Sequence, residues 1–314
     1  MKTISGVSKL ESSLQSSVVT IGNFDSIHLG HQALIGKTVE LSKKHKSSAV
    51  VMSFRPHPVK VLFPEREIHR LFSYEDQADQ LENLGIELFV QQPFSRELSE
   101  LSAERFLSEL ILKPLNPKAI VVGYDFAFGA NREGSIQYLE KYCEKNSIEL
   151  FVQSPVRVDG EIVSSSLLRD LIANGKVMFA KKCLDRYFYL QGVVEKGVGR
   201  GRKIGFPTAN VFTKAETFPS AGVYASFTRV NGIRYKSVTN VGSNPTFEDE
   251  TKRKIQVETH ILDFDEDIYG DTIKVEFIKF LRLEMKFSGV EQLVSQINKD
   301  VQEARGVHDE VGLD

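Results

Sequence analysis

The 314-residue chain is long enough for about two domains and for cores that need no disulfide or metal staple. Hydrophobic residues make up 41% and charged residues 26%, ordinary globular values, and 40 basic against 42 acidic side chains leave a net charge of −2, which argues against a nucleic-acid partner because such binding needs a cationic excess. Cys143 and Cys183 are too few for a disulfide framework or a four-thiolate zinc site, and read as buried thiols of a reducing compartment.

In chain order, β-rich runs are predicted at 17–21, 48–54, 86–91, 119–123 and 148–152. Several are near-continuous apolar stretches, as in strands of a parallel sheet covered on both faces. Helical patterns lie between them, at 31–44, 74–84, 103–110 and 135–145, followed by a helix over 166–174 with serines at its start and Asn174-Gly175 at its end. This alternation predicts an α/β domain with a doubly wound parallel sheet. From about residue 187 strands take over. Runs at 221–230 and 233–241 flank Asn231-Gly232, a strong hairpin signal, and 254–262 and 272–280 alternate in polarity. They predict a small antiparallel β-barrel or sandwich, closed by a terminal amphipathic helix over 289–305, with a linking helix near 176–187. The expected domains are 1–182 and 183–314. Residues 1–13 contain no apolar signal-peptide core, and no apolar run approaches the roughly 18 residues that span a bilayer; a cytoplasmic protein without a membrane partner is expected.

The first strand runs into Gly22-Asn23-Phe24-Asp25 and then His28-Leu29-Gly30-His31. A strand leading through a glycine-bearing loop into a helix offers backbone N–H groups and a favourable dipole to phosphate. Within a helical turn His28 and His31 would share a face, where two imidazole donors could hold charge that develops in phosphoryl-type transfer, and Gly30 would let a ligand approach the backbone. The competing reading is two histidines that only cap or pack a helix start. Ser164, Ser165, Ser166 and Arg169 form a second anion-binding pattern at a helix N-terminus; alone, this could equally be a serine-rich cap with a surface arginine.

The second half carries Gly199-Arg200-Gly201-Arg202-Lys203-Ile204-Gly205-Phe206-Pro207-Thr208-Ala209-Asn210. Its glycines and cations suggest a flexible loop able to close over polyphosphate. Thr208 and Asn210 supply hard oxygen ligands of the kind Mg²⁺ accepts alongside water and ATP. The simpler alternative is a solvated surface hairpin. Glu258 falls on the polar face of its strand, where a carboxylate is ordinarily just solvated.

The first two motifs together resemble the nucleotidylyltransferase superfamily, whose H-x-G-H histidines bind ATP phosphates and whose late serine–arginine segment holds pyrophosphate. With G-F-P-T-A-N and Val257-Glu258-Thr259-His260-Ile261-Leu262-Asp263-Phe264, the chain closely resembles the prokaryotic bifunctional riboflavin kinase/FMN adenylyltransferase (FAD synthetase) family over nearly its whole length. Further matching segments include Gly222-Val223-Tyr224-Ala225, Pro245-Thr246-Phe247 and Leu281-Arg282. The resemblance implies a Rossmann-like nucleotidylyltransferase domain followed by a riboflavin kinase-like barrel. It implies that the second domain phosphorylates riboflavin with ATP to FMN, and that the first adenylylates FMN with ATP to FAD and pyrophosphate. Thr208 and Asn210 would serve Mg²⁺ and ATP, together with Gly199, Arg202 and Gly205. Glu258 would be the base. Gly22, Asn23, Phe24, Asp25, Gly30, the histidines, the three serines and Arg169 would handle ATP. His57, Pro58, Asp125 and Arg282 would lie at flavin.

The chemistry agrees with that division, since a hydroxyl nucleophile benefits from a base whereas a phosphate with a second pKa of about 6 is already ionised. The chain departs from the family pattern at Ser26, usually glycine, at Arg55, often acidic, and at Ala127, usually arginine. These departures leave open a kinase whose first domain adenylates poorly. A flavin-binding regulator is the reading from another class; the intact base, metal and phosphate motifs count against it.

Overall fold

A computed structural model describes residues 1–197, 199–244 and 254–312. Two compact units are present, Met1–Ser165 and Ser166–Asp314.

In the first unit, β1 (Lys2–Ile4), β2 (Ser17–Ile21), α1 (Leu29–His45), β3 (Ser48–Arg55), α2 (Pro58–Leu62), α3 (Tyr74–Asn83), β4 (Leu88–Pro93), β5 (Pro117–Gly123), α4 (Ile136–Lys145) and β6 (Glu149–Gln153) build a six-stranded sheet in the order β1-β4-β3-β2-β5-β6. Every ladder in it is parallel. The runs SVVTI and AVVMS are buried along their length because both sheet faces are covered. One face packs Val50, Met52, Ile120 and Val122 under Phe106, Leu107 and Leu139; the other packs Val18, Val51 and Val121 under Ile35, Leu41 and Leu81. The expected helix at 103–110 is α-helical only over Ala103–Arg105, continuing as a π-helix over Phe106–Leu112 that buries Phe106, Leu107, Leu110 and Ile111. Edge strand β1 carries no turn signal or alternation and was not expected. A small hairpin, β7 (Arg157–Val158) and β8 (Glu161–Ile162), follows β6. Cys143 and Cys183 are both buried, and burial pushes the Cys143 thiol up to about 11.

Helix α5 (Ser165–Ala173) ends in a Schellman motif: Lys176 N–H donates to Leu171 O, Gly175 N–H donates to Ile172 O, and Gly175 takes φ +69°. Helix α6 (Val177–Leu184) forms where a helix was expected, and it lies within the second unit. Then come β9 (Phe188–Glu195), α7 (Arg200–Lys203), β10 (Ala209–Phe212), β11 (Gly222–Val230), β12 (Ile233–Asn244), β13 (Lys254–Ile261), β14 (Thr272–Arg282) and α8 (Val290–Val311). The strands close an antiparallel barrel in the order β10-β13-β12-β11-β14-β9. Strands β9 and β10 were missing from the expected set, and the supposedly flexible stretch after Gly199 includes the one-turn helix α7.

Alternation along β11 divides inside from outside. Val223, Ala225 and Phe227 pack outward with Ala304 and Val307 of α8. Tyr224, Ser226 and Thr228 therefore point inward, where Ser237, Thr239 and Thr259 join them at 0% exposure. The hydroxyls satisfy one another: Thr239 donates to Thr259 at 2.8 Å, Thr228 to Ser237 at 2.9 Å, and Ser237 to Ser226 O at 3.0 Å, while Ser226 and Thr239 Oγ atoms lie 2.7 Å apart. Buried hydroxyls cost little when every donor is used.

The Ser226 carbonyl also accepts the Nε2–H of fully buried His308 at 2.8 Å, pinning α8 to the barrel. Nδ1 of His308 has no partner among the described residues. Burial foremost, then Lys236 and Arg305, holds the His308 pKa below the ordinary value, against the pull of the Ser226 bond and Asp309. Lys236 is paired with Asp309 at 2.7 Å, and Arg305 with Asp263 at 2.8 Å. The unfolded chain therefore binds this proton more tightly, and stability is lost as pH falls through the ordinary histidine value of about 6.5. Hydrogen exchange of α8 amides, corrected for intrinsic rates, is expected to accelerate between about pH 7.5 and about pH 5.5, a window set around that value, with a flatter dependence in His308→Gln.

Candidate active sites

The loop from β2 to α1 holds the first site. Ile27 at φ +44° and Phe24 at φ +49° are fully buried in left-handed backbone that a β-branched or bulky residue seldom adopts. Packing and hydrogen bonds hold them there: Gly22 N–H donates to Met52 O, Ser53 Oγ donates to Asn23 O at 2.9 Å, and Gln77 Nε2 donates to Asn23 O at 2.9 Å and Phe24 O at 3.1 Å.

His28 is the N-cap of α1, not a residue of its first turn; its Nδ1 accepts the His31 N–H at 3.2 Å. The capping reading is thus correct for one nitrogen. It also fixes the tautomer, because a neutral imidazole that accepts at Nδ1 carries its proton on Nε2. The His28 and His31 rings stack at 3.7 Å and 13°, and Phe24 meets His31 edge-on at 5.1 Å. A Cβ on Gly30 would press on the His28 ring at 3.0 Å, so glycine is needed for the stack as well as for access. Ser26, fully buried, places its Oγ 3.2 Å from Ser165 Oγ, tying the loop to the start of α5. Ser164 and Ser165 belong to the first compact unit; Ser166 and half-buried Arg169 continue the helix in the second. The Asp25 carboxylate is turned inward, accepting the Leu71 N–H at 3.4 Å and lying 3.8 Å from buried Arg70.

At the carboxyl ends of β3, β4 and β5 an aromatic shelf was not foreseen. Phe54 lies 5.7 Å from Phe94 and 6.4 Å from Phe106; Phe106 lies 5.4 Å from Phe128, which stacks on Phe126 at 5.3 Å. The phenylalanines of Ser53-Phe54 and Asp125-Phe126-Ala127-Phe128 were its sequence signal. His57 caps α2 as His28 caps α1, its Nδ1 accepting the Val59 N–H at 3.2 Å, with Pro58 in the first helical position. Asp125 is exposed in the turn after β5, its carboxylate folded back over the end of the strand: a Cβ on Gly123 would stand 3.2 Å from Asp125 Oδ1.

In the barrel, the register places Glu195, Asn210, Glu258, Asn240, Val223 and Arg282 side by side around one hoop. Val223 packs under α8, so this hoop faces outward. Half-buried Glu258 thus stands between Asn210 and Asn240. Thr208 lies two residues before Asn210, beside the turn in which Phe206 N–H donates to Gly201 O. A Cβ on Gly197 would run into the Asn210 amide, and one on Gly201 into Phe206 O and towards Thr208 Oγ1 at 3.4 Å. The glycines therefore leave two hard oxygen donors in a bare cradle, a donor set that suits Mg²⁺ retaining water and phosphate ligands. Gly199 and Gly205, at φ +71° and +88°, bracket exposed Arg202.

His260 holds this segment in place: its ring nitrogen Nδ1 donates to Pro207 O at 2.7 Å, and Phe206 meets its ring edge-on at 5.5 Å. Sequence reasoning gave His260 no role, although its spacing from Glu258 puts both on the outer face. The Arg282 guanidinium is gripped by buried Asp300 at 2.8 and 2.7 Å, and donates to Leu283 O at 2.9 Å. The Pro245-Thr246-Phe247 segment lies outside the described residues.

Residues 10–167 match the family model described as FAD synthetase, and residues 184–308 the model described as riboflavin kinase. The bifunctional riboflavin kinase/FMN adenylyltransferase of Bacillus subtilis is 36% identical over 290 residues, covering 92% of this chain and 91% of its own. That of Escherichia coli strain K12 is 34% identical over 309 residues, covering 97% of each. The chain belongs to the bifunctional riboflavin kinase/FMN adenylyltransferase family. In this family setting the two units correspond to the two matched models, in the same order. A solved structure titled as a macrolide-efflux protein from Streptococcus pneumoniae superposes with a TM-score of 0.87 at 31% identity, covering 97% of this chain and 98% of its own. Among the described residues of this family member, no helix is long and apolar enough to cross a membrane.

Proposed function

We propose that the chain makes FAD from riboflavin in two ATP-dependent steps, with domain 183–314 phosphorylating riboflavin to FMN and domain 1–182 adenylylating FMN with release of pyrophosphate. The observation that carries the proposal is the pairing, in one family member, of the stacked His28–His31 cap with the outward Asn210–Glu258–Asn240 row.

In the kinase step, Glu258 takes the proton of riboflavin's 5′-hydroxyl as the oxygen attacks the γ-phosphorus of ATP, and the bond from that phosphorus to the β,γ-bridging oxygen breaks to release ADP. Thr208 and Asn210 would hold Mg²⁺, which when bound would offset charge on the ATP phosphates. Gly199, Arg202 and Gly205 wrap the phosphates with backbone N–H groups and a cation. Arg282, aimed by Asp300, presents its flat face to the flavin.

In the adenylyl step, an oxygen of the FMN phosphate attacks the α-phosphorus of ATP and the bond to pyrophosphate breaks. No base is needed. The Nε2–H groups of His28 and His31 donate to the oxygens that gain charge. Gly22, Asn23, Phe24, Asp25 and Gly30 shape the loop for ATP, Asp25 through its buried contacts. Ser164, Ser165, Ser166 and Arg169 receive the departing pyrophosphate at the start of α5. His57, Pro58 and Asp125, around the aromatic shelf, hold the flavin ring. All substrates are soluble metabolites, consistent with a cytoplasmic enzyme.

The test is a time course with riboflavin, ATP and Mg²⁺, separating flavins by chromatography. FMN is expected first, then FAD. FMN that accumulates without FAD, even with pyrophosphatase present, would leave only the kinase, the reading that Ala127 motivates. Flavin binding without turnover would overturn both steps.

A further inference from the structure

We propose that Arg55 binds the phosphate group of the flavin substrate in the first domain and so selects FMN over unphosphorylated flavins. This rests on the adenylyl-transfer reading above.

Arg55 is the last residue of β3 and is exposed. Its guanidinium carbon lies 4.2 Å from the centre of the Tyr74 ring, and that of Arg70 lies 3.5 Å from the same point. Two planar cations so close to one ring centre cannot share a face, so half-buried Tyr74 is held between them. They are not equivalent. Arg70 is buried, faces Asp25 at 3.8 Å, and donates to Phe72 O at 3.1 Å and Gln77 Oε1 at 3.4 Å; its charge is committed inside the fold. Arg55 has no carboxylate partner among the described residues. A solvated surface arginine ordinarily wanders through many rotamers. Stacking on Tyr74 fixes this one by its π face and leaves the N–H groups of its edge free for a planar fork of oxygens.

The position suits a phosphate rather than a bystander. Ser53, two residues back on β3, is bonded to Asn23, and Gln77 of α3 ties the same loop to the helix that carries Tyr74. The cation therefore sits on the rim next to the loop that leads into His28 and His31. Phe54, its neighbour in the chain, points to the other side of the strand and joins the aromatic shelf. A flat ring and an anion joined by a flexible chain is the outline of a phosphorylated flavin. One strand end offers both matching surfaces on consecutive residues. Because the phosphate to be bound is also the nucleophile, a fixed arginine orients it without needing to take a proton.

The experiment is steady-state FAD formation from supplied FMN and ATP with the full-length protein. Wild type, Arg55→Gln and Arg55→Lys are compared, with lumiflavin, which has the ring but neither chain nor phosphate, as competitive inhibitor. Arg55→Gln is expected to raise KM for FMN about tenfold or more, the size of a charge-assisted contact. KM for ATP and the lumiflavin inhibition constant stay at wild-type values, and Arg55→Lys falls between, keeping the charge without the fork. An unchanged KM for FMN overturns the proposal. A rise in KM for ATP instead would assign Arg55 to the nucleotide and overturn it too, as would parallel losses for FMN and lumiflavin, the mark of a packing role. Wild type that makes no FAD from FMN and ATP removes the adenylyl-transfer reading itself, whereas normal wild-type turnover with an insensitive Arg55 removes the Arg55 role alone.

Discussion

Glu258→Gln is expected to lower FMN formation by about 10²–10⁴-fold, the usual worth of a positioned general base, while FAD formation from supplied FMN continues at the wild-type rate. The isosteric amide keeps the side chain's volume between Asn210 and Asn240, so the barrel's cross-strand pairing is left intact. What it removes is the proposed proton acceptor. Riboflavin's hydroxyl is a weak nucleophile until its proton leaves, so the loss falls on kcat of the kinase with KM for riboflavin little changed. FMN's phosphate, with a second pKa of about 6, attacks without help. Flavin products quantified from riboflavin in one reaction and from FMN in another check both halves. A kinase rate within a few-fold of wild type would show that Glu258 is not the base.

Several parts of this arrangement were legible in the residues, and the reasons the others were not are physical. Strand β3 was legible because a strand buried on both faces must be apolar throughout. Glu258 was legible as outward-facing because a period of two survives whatever the barrel does. Strands β9 and β10 were not, since a Gly192 and a short ANVF run carry little strand signal; their pairing with each other and with β13 and β14 supplies the order. The hydroxyl network inside the barrel has no sequence signal, because only closure of the sheet brings Ser226, Ser237, Thr228, Thr239 and Thr259 within bonding reach. At the first site the sequence put His28 and His31 on one face of a helical turn. It could not say that His28 precedes the helix and spends Nδ1 on its cap. Arg55 stood out only as an oddity beside Pro56; Tyr74, nineteen positions on, gives it a fixed direction.

Replacing both His28 and His31 by alanine is expected to reverse the Glu258 pattern: FAD formation from FMN falls by about 10²-fold or more, the scale for removing donors at a centre of developing charge, and riboflavin phosphorylation persists. The capping bond complicates the single change at His28. His28→Ala removes both the Nε2–H donor and the Nδ1 that accepts the His31 N–H, and losing a cap costs about 0.5–2 kcal/mol by itself. His28→Asn separates the two roles, because asparagine is among the best capping residues yet its shorter side chain cannot reach as far into the loop's mouth. In the His28→Asn variant the first domain should melt as wild type does while FAD formation stays low. Recovery of FAD formation together with stability would mean that His28 serves only as the cap, leaving His31 to act alone. Loss of both activities in the double variant, with a lowered melting temperature for both domains, would mean that the damage spreads through folding and not through the missing imidazoles.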